Sequence, residues 1–355
     1  MSSSVKILNI SNMIPSSKYQ SYGIFIAQMD ADINRIPGVS SVLIGIGYCQ
    51  SIFLKLYMYI VLYVKSLWLI LFNSYSCILI HSSTHFFPIL LVAKIKSLFV
   101  KSNIAIYSHG GDIYLEHVKG KGYLSLLKVL SFLSYSTADS IFVSSQTSKA
   151  LLSSKFRGKV CIQYPTSIRE IFFLCNNGCH KDLTSTDYIN FYITGRLVHG
   201  KGIVSLLDSI KFPELSIVNV IGDGPIRDRI EFMCAQPGRV FLGNLSHLEM
   251  SSAYHSTSGF FIFNSRLTEG LGLVVLEAMA SGLVPFVRSN TGVSELIDHG
   301  VNGYVYSDLQ ELQHLIFNIL TLSKGRLNKM REACIDTALN FNHEYGEQLK
   351  SNLLK

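Results

Sequence analysis

Four charged side chains flank two glycine-bearing turns: Arg196 and Lys201, cations suited to phosphate oxygens, on one, and the carboxylates Glu269 and Glu277 around the other. The second turn lies in the stretch FFIFNSRLTEGLGLVVLEAMAS, residues 260–281. Gly270 and Gly272 have no Cβ, so the backbone of Gly270-Leu271-Gly272-Leu273 can approach a ligand closely. A helix starting there would turn its unpaired N–H groups toward an anion. The first turn reads Thr194-Gly195-Arg196-Leu197-Val198-His199-Gly200-Lys201-Gly202. Arg offers a planar fork and Lys a point charge, both suited to phosphate oxygens. Solvated surface cations are the plainer reading of the same pair. Glu269 and Glu277 have seven residues between them. In a continuous helix they would stand roughly 12 Å apart at ~1.5 Å per residue. Carboxylate pairs that cleave glycosides lie about 5–9.5 Å apart, so the spacing favours two separate ligand contacts over an acid–nucleophile pair.

The elements that position these residues follow from the apolar pattern. Phe260 to Phe263 is short and aromatic enough for a buried strand, and from Gly272 on Val275, Leu276, Met279 and Ala280 recur at helical spacing. Strands are expected at Ile189 to Ile193, Leu215 to Ile221 and Val240 to Asn244. In the first half, strands are expected at Val5 to Ile10, Val42 to Ile46, Cys77 to Ile80, Ile104 to Tyr107, and within Thr137 to Ser145. Gly23-Ile24-Phe25-Ile26 opens a helix at the carboxyl end of the first strand, where α/β folds bind ligands. His81 and His85 fall in a serine-rich loop without a metal signature. Ser108-His109-Gly110-Gly111-Asp112 places His109 at a strand's carboxyl end, as a substrate-facing or a structural histidine.

In wording, Glu269 to Gly272 with Leu276 to Gly282 closely resembles the E-x7-E signature of retaining glycosyltransferases of family 4. The segment around Arg196 and Lys201 resembles that family's diphosphate element, and Gly222-Asp223-Gly224-Pro225, Gly292 to Glu295 and Asn302-Gly303 match further elements in order. The resemblance is strong over residues 189–308 and patchy over 1–165. It implies that Glu269 meets hydroxyls of the donor sugar, Glu277 the ribose, and the amides of Gly270 to Leu273 the diphosphate. It implies that backbone near Leu242 reads the base, Gly23 lets the chain near donor phosphate and acceptor, and His109 lies by the transfer centre. Gln163-Tyr164-Pro165-Thr166-Ser167 departs from the family's Asn-Gly-rich turn.

The chain of 355 residues is long enough for two domains. The expected fold is α/β, the GT-B arrangement: two Rossmann-like domains with parallel sheets facing a cleft. The boundaries read as 1–167, a linker over 168–187, a nucleotide-sugar domain over 188–324, and a C-terminal part over 325–355 whose helix can cross back to the first domain. The net charge of +7 is unevenly placed. Residues 1–165 hold 15 Lys and Arg against 5 Asp and Glu, a net +10, and the remainder holds 16 against 19, a net −3. This basic half carries long apolar runs rather than base-stacking motifs, which favours an anionic membrane over nucleic acid. Residues 51–72, SIFLKLYMYIVLYVKSLWLILF, approach the ~20 residues of a membrane span. A span would split the first sheet across a bilayer. That leaves a core helix or, favoured by the basic excess, a helix on the membrane surface. Seven scattered cysteines, with Cys175, Cys179 and His180 lacking a second ligand pair, read as free thiols in a reducing compartment. The N-terminus looks like a first strand rather than a signal peptide.

The expectation is therefore a retaining, metal-independent hexosyltransferase without cofactor. It moves sugar from a nucleotide-sugar donor to a lipid-linked or growing surface glycan, at the cytoplasmic face of the membrane. A sugar-nucleotide epimerase of the same architecture and a non-catalytic donor- or membrane-binding partner are the alternatives.

Overall fold

The computed structural model describes residues 5–16, 22–110, 121–174, 188–256, 259–267 and 269–353. Two compact units divide the chain: residues 1–167 with 344–355, and residues 168–343.

In the first unit the elements run β1 Val5–Ser11, α1 Ile24–Asn34, β2 Val39–Gly45, α2 Ile52–Phe72, β3 Cys77–His81, α3 Phe87–Ser97, β4 Asn103–Tyr107, α4 Lys121–Thr137, β5 Ser140–Val143, α5 Gln146–Ser153 and β6 Val160–Ile162. The strands form one parallel sheet in the order β2-β1-β3-β4-β5-β6. Strands covered on both faces read as continuous apolar runs, and every residue of β3 is buried. Edge strand β2 alternates instead, and its polar start Ser40-Ser41 hides its beginning from a sequence reading.

In the second unit they run β7 Ile189–Thr194, α6 Ile203–Ser209, β8 Ser216–Ile221, α7 Arg227–Cys234, β9 Arg239–Gly243, α8 His247–Ser256, β10 Gly259–Phe263, α9 Leu273–Ala280, β11 Val284–Arg288, β12 Tyr304–Tyr306 and α10 Leu309–Ile319, and α11 Lys324–Leu353 starts in it and belongs to the first unit from residue 344 on. Its parallel sheet has the order β12-β11-β10-β7-β8-β9. β10 is buried throughout and lies between β7 and β11 at the centre of the sheet. Residues 168–174, within the stretch read as a linker, enter this unit: Phe172 is fully buried, and its carbonyl accepts from Ser281 Oγ at 3.1 Å.

Helix α2 connects β2 to β3, and β1 pairs with both of those strands. Its two ends therefore return to one sheet. Leu62, Ser66 and Ile70 of α2 are buried, while most of its other large side chains are exposed. His81, read as a loop residue, is the last residue of β3, because its backbone continues the ladders opposite Ser11 and Tyr107.

Candidate functional site

In the second unit two loops at the carboxyl ends of adjacent strands are stitched together. β7 leads into a short 3-10 turn, His199–Lys201, and β10 leads into the loop before α9. Arg266 N donates to Gly200 O at 2.9 Å, and Asn264 Nδ2 to Gly202 O at 2.9 Å. Asn264 is buried, and its Oδ1 accepts from the Tyr306 hydroxyl at 3.1 Å. This scaffold brings Lys201 Nζ to 2.6 Å from Glu269 Oε1, each side chain 19% exposed. The ammonium also lies 5.3 Å from the centre of the Phe263 ring, a cation–π contact. Arg196, on the same turn as Lys201, is exposed and has no side-chain partner among the described residues.

Glu269 lies ahead of α9, which begins at Leu273, so the spacing estimate made for a continuous helix does not apply. Gly272 caps the helix at φ +72°, and a Cβ there would come within 3.1 Å of the Phe263 ring and 3.3 Å of Val293. The position thus favours glycine twice over. The Leu271 side chain is buried, leaving its backbone as the part of that residue available to a ligand. Gly270 lies in the bend just before it.

Glu277 sits within α9. Burial pushes its carboxyl up to about 8, against the opposing pull of the Arg169 guanidinium. His247 Nε2 stands 3.6 Å from Glu277 Oε1. Burial first, and Arg169 second, hold that imidazole down at about 4. Both partners are thus neutral near pH 7, and the contact is not an ion pair. Arg169 and His247 were missed in the sequence because both lie far from Glu277 along the chain.

On edge strand β9 the register slips: Val220 faces Phe241 and Ile221 faces Gly243. Leu242 is the extra residue of this bulge, and bulged residues leave the ladder.

In the first unit, His109 follows β4, and its Nε2 lies 3.0 Å from Nδ1 of His81. The two rings are stacked, Tyr107 stacks on His109 at 4.3 Å, and Phe25 meets it edge-on at 4.9 Å. Burial lowers His109 to about 3, and burial together with His109 lowers His81 well below its usual value. One nitrogen of the pair donates and the other accepts, a coupling invisible in a sequence where 28 residues separate the two. Gly23 caps α1 at φ +67°, where a Cβ would meet Met13 O at 2.3 Å. Gly111 and Asp112, expected to complete the histidine motif, lie outside the described residues, as do Cys175, Cys179 and His180. Among the described residues, Cys49, Cys77, Cys161, Cys234 and Cys334 are free thiols, and no group of three metal-ligating side chains is found.

Comparison with known proteins adds family and fold. Residues 180–341 match the family described as glycosyl transferases group 1. A sulfoquinovosyl transferase of Arabidopsis thaliana is 38% identical over 109 residues, 29% of this chain and 21% of that one. An uncharacterized glycosyltransferase of Methanocaldococcus jannaschii is 27% identical over 207 residues, 55% of this chain and 51% of that one. The chain thus spans between 21% and 51% of the length of these relatives. Anabaena HepE, solved with UDP, superposes with a TM-score of 0.70 at 17% identity, over 98% of this chain and 100% of that one. Sucrose-phosphate synthase of Thermosynechococcus elongatus gives 0.73 at 13% identity, over 98% of each chain. The two Rossmann-like halves are those of the GT-B fold, and the segment that carries Arg196, Lys201, Glu269 and Glu277 matches the glycosyltransferase group 1 family.

Proposed function

We propose that the protein is a retaining glycosyltransferase of family 4 type. It transfers a hexose from a nucleotide-sugar donor to a lipid-linked or growing surface glycan at the inner face of the cell membrane. The observation that carries the reading is the Lys201–Glu269 pair at 2.6 Å, set beside the glycine-capped start of α9. Breaking the bond between sugar and diphosphate puts negative charge on the diphosphate. Lys201, Arg196 and the N–H groups at Gly270 to Leu273 stabilise that charge, and the reaction proceeds without a metal. Glu269, released from Lys201 when phosphate takes its place, accepts from donor-sugar hydroxyls. Glu277 accepts from the ribose, and backbone at the Leu242 bulge pairs with the base. HepE, whose structures were solved with UDP and with UDP-glucose, supports this class of donor. Gly23 and His109 keep the roles that the family resemblance implies.

Screening nucleotide sugars for thermal stabilisation identifies the donor, since a ligand at 100 Kd adds ~2.7 kcal/mol. Product analysis then tests the reaction: a lengthened acceptor with the donor's anomeric configuration supports the reading. An isomerised donor, or no product from a donor that binds, overturns it.

A further inference from the structure

We infer that helices α2, α3 and α4 form a membrane-docking face on which α2 lies flat in the headgroup region of an anionic bilayer. The inference rests on the membrane location proposed above, and not on the sugar chemistry. At about 100° per residue, Phe53, Tyr57, Ile60, Val64, Trp68 and Leu71 fall within about 40° of one line along α2. All six are exposed, Phe53 at 83% and Trp68 at 57%. Leu62, Ser66 and Ile70, which anchor the helix to the sheet, lie on its opposite side. The helix is therefore apolar on both faces and has only one covered. Its outward line is about 30 Å long at ~1.5 Å per residue.

The neighbouring helices continue this surface. α3 packs against both α2 and α4, and Lys96 of α3 ties the first two together by donating to the α2 carbonyls of Ile70 and Leu71. Leu91 and Ile95 of α3 and Leu98 just after it are exposed, and so are Leu126, Val129 and Phe132 of α4. A soluble monomer rarely exposes a contiguous apolar patch of more than a few hundred Å².

Charge selects the occupant. Residues 33–111 contain no Asp or Glu, and neither does α4. Lys65 is exposed at the edge of the face, about 100° from the centre of the outward line, and Lys55 is exposed in the first turn of α2 on its far side. A second copy docked on the same face would set lysines against lysines with no carboxylate between them. A protein partner would find few groups to bond. Such interfaces carry about one hydrogen bond per 100–200 Å², and the outward line of α2 offers only the Tyr57 hydroxyl and the Trp68 indole N–H. An anionic bilayer accepts apolar side chains, places tyrosine and tryptophan at headgroup level, and draws the lysines to its surface. The helix cannot cross the bilayer, because β1 pairs with the strands at both of its ends.

Trp68 is the only tryptophan in the chain, so its fluorescence reports on this face alone. The full chain is titrated with vesicles of phosphatidylglycerol and phosphatidylcholine, and separately with phosphatidylcholine alone. The expected result is a blue shift of Trp68 emission and quenching by brominated acyl chains with the anionic vesicles, both weakened by salt. Lys65→Gln should weaken binding about fivefold, and Lys55→Gln, on the far side of the helix, should weaken it less. A triple variant, Ile60→Ser with Val64→Ser and Leu71→Ser, should abolish vesicle flotation and leave the melting temperature within a few degrees of wild type. Emission unchanged by anionic vesicles overturns the inference. So does a concentration-dependent dimer that the triple variant abolishes, or a sharp loss of melting temperature in that variant. Donor binding measured without vesicles reports on the sugar chemistry separately.

Discussion

Lys201 pairs with Glu269, and in the proposed reaction it must turn to phosphate. Lys201→Ala should lower kcat about 10²–10³-fold, the usual loss when one charge-stabilising donor is removed. Arg196→Ala should lower kcat/KM with no change in melting temperature, because the exposed guanidinium holds nothing else among the described residues. Steady-state kinetics beside thermal melts check both. Glu277 gives a sharper expectation. With its carboxyl held up at about 8, it carries a proton at pH 7. A ribose that donates to the ionised form must drive that proton off. Calorimetric titration of nucleoside diphosphate at pH 7, in buffers of different ionisation enthalpy, should show proton release that fades above about pH 9. Glu277→Gln should bind more weakly and show no such release.

At the scale of elements, β10, its turn and α9 act as one device, and Gly272 is the pivot. Gly272→Ala forces a Cβ into a left-handed position, 3.1 Å from Phe263. It should destabilise the second unit by about 1–2 kcal/mol and weaken nucleotide binding, both readable from melts with and without ligand. This device was legible in the sequence because an apolar run, a glycine turn and a helical period lie next to each other in the chain. Two parallel α/β units were legible for the same reason, since buried parallel strands read as continuous apolar runs. What the sequence hid depends on distant partners. The Lys201–Glu269 contact joins residues 68 apart. His247 and Arg169 reach Glu277 only once the sheet has formed, and His81 meets His109 only because β3 and β4 are neighbours. Edge strand β2 was read too short, since half of its face is solvated and carries serine.

For the whole molecule, three half-buried titratable groups set opposing slopes of stability against pH. His109 and His247 have folded values of about 3 and about 4, below the ordinary 6.5. Their contribution is fully present above pH 6.5 and is lost as pH falls toward those values, because the unfolded chain takes up protons first. Glu277 is raised from 4.5 to about 8, so its contribution is full below pH 4.5 and is lost as pH rises through 8. Melting temperature should therefore peak near neutrality and fall on both sides, and Glu277→Gln should flatten the alkaline side. Residues 344–353 of α11 belong to the first unit. Within it, Tyr164 N donates to Gln348 Oε1 at 2.7 Å, the Tyr345 hydroxyl to Asp32 Oδ2 at 3.1 Å, and Asn352 Nδ2 to Ile162 O at 2.9 Å. Tyr345, Leu349 and Leu353 are each 3% exposed. Truncation after His343 should lower the melting of the first unit, seen as earlier hydrogen exchange in β1 and β6.

That discontinuity governs the order of events at the ribosome. Domains made first ordinarily fold first during synthesis. Here the sheet of the first unit is complete once Ile162 has emerged, but the segment that buries Tyr345, Leu349 and Leu353 against it is translated only after the entire second unit. The nascent first unit must wait through some 180 further residues with that surface bare and its apolar helices exposed, which makes this interval the time when a chaperone has most to hold.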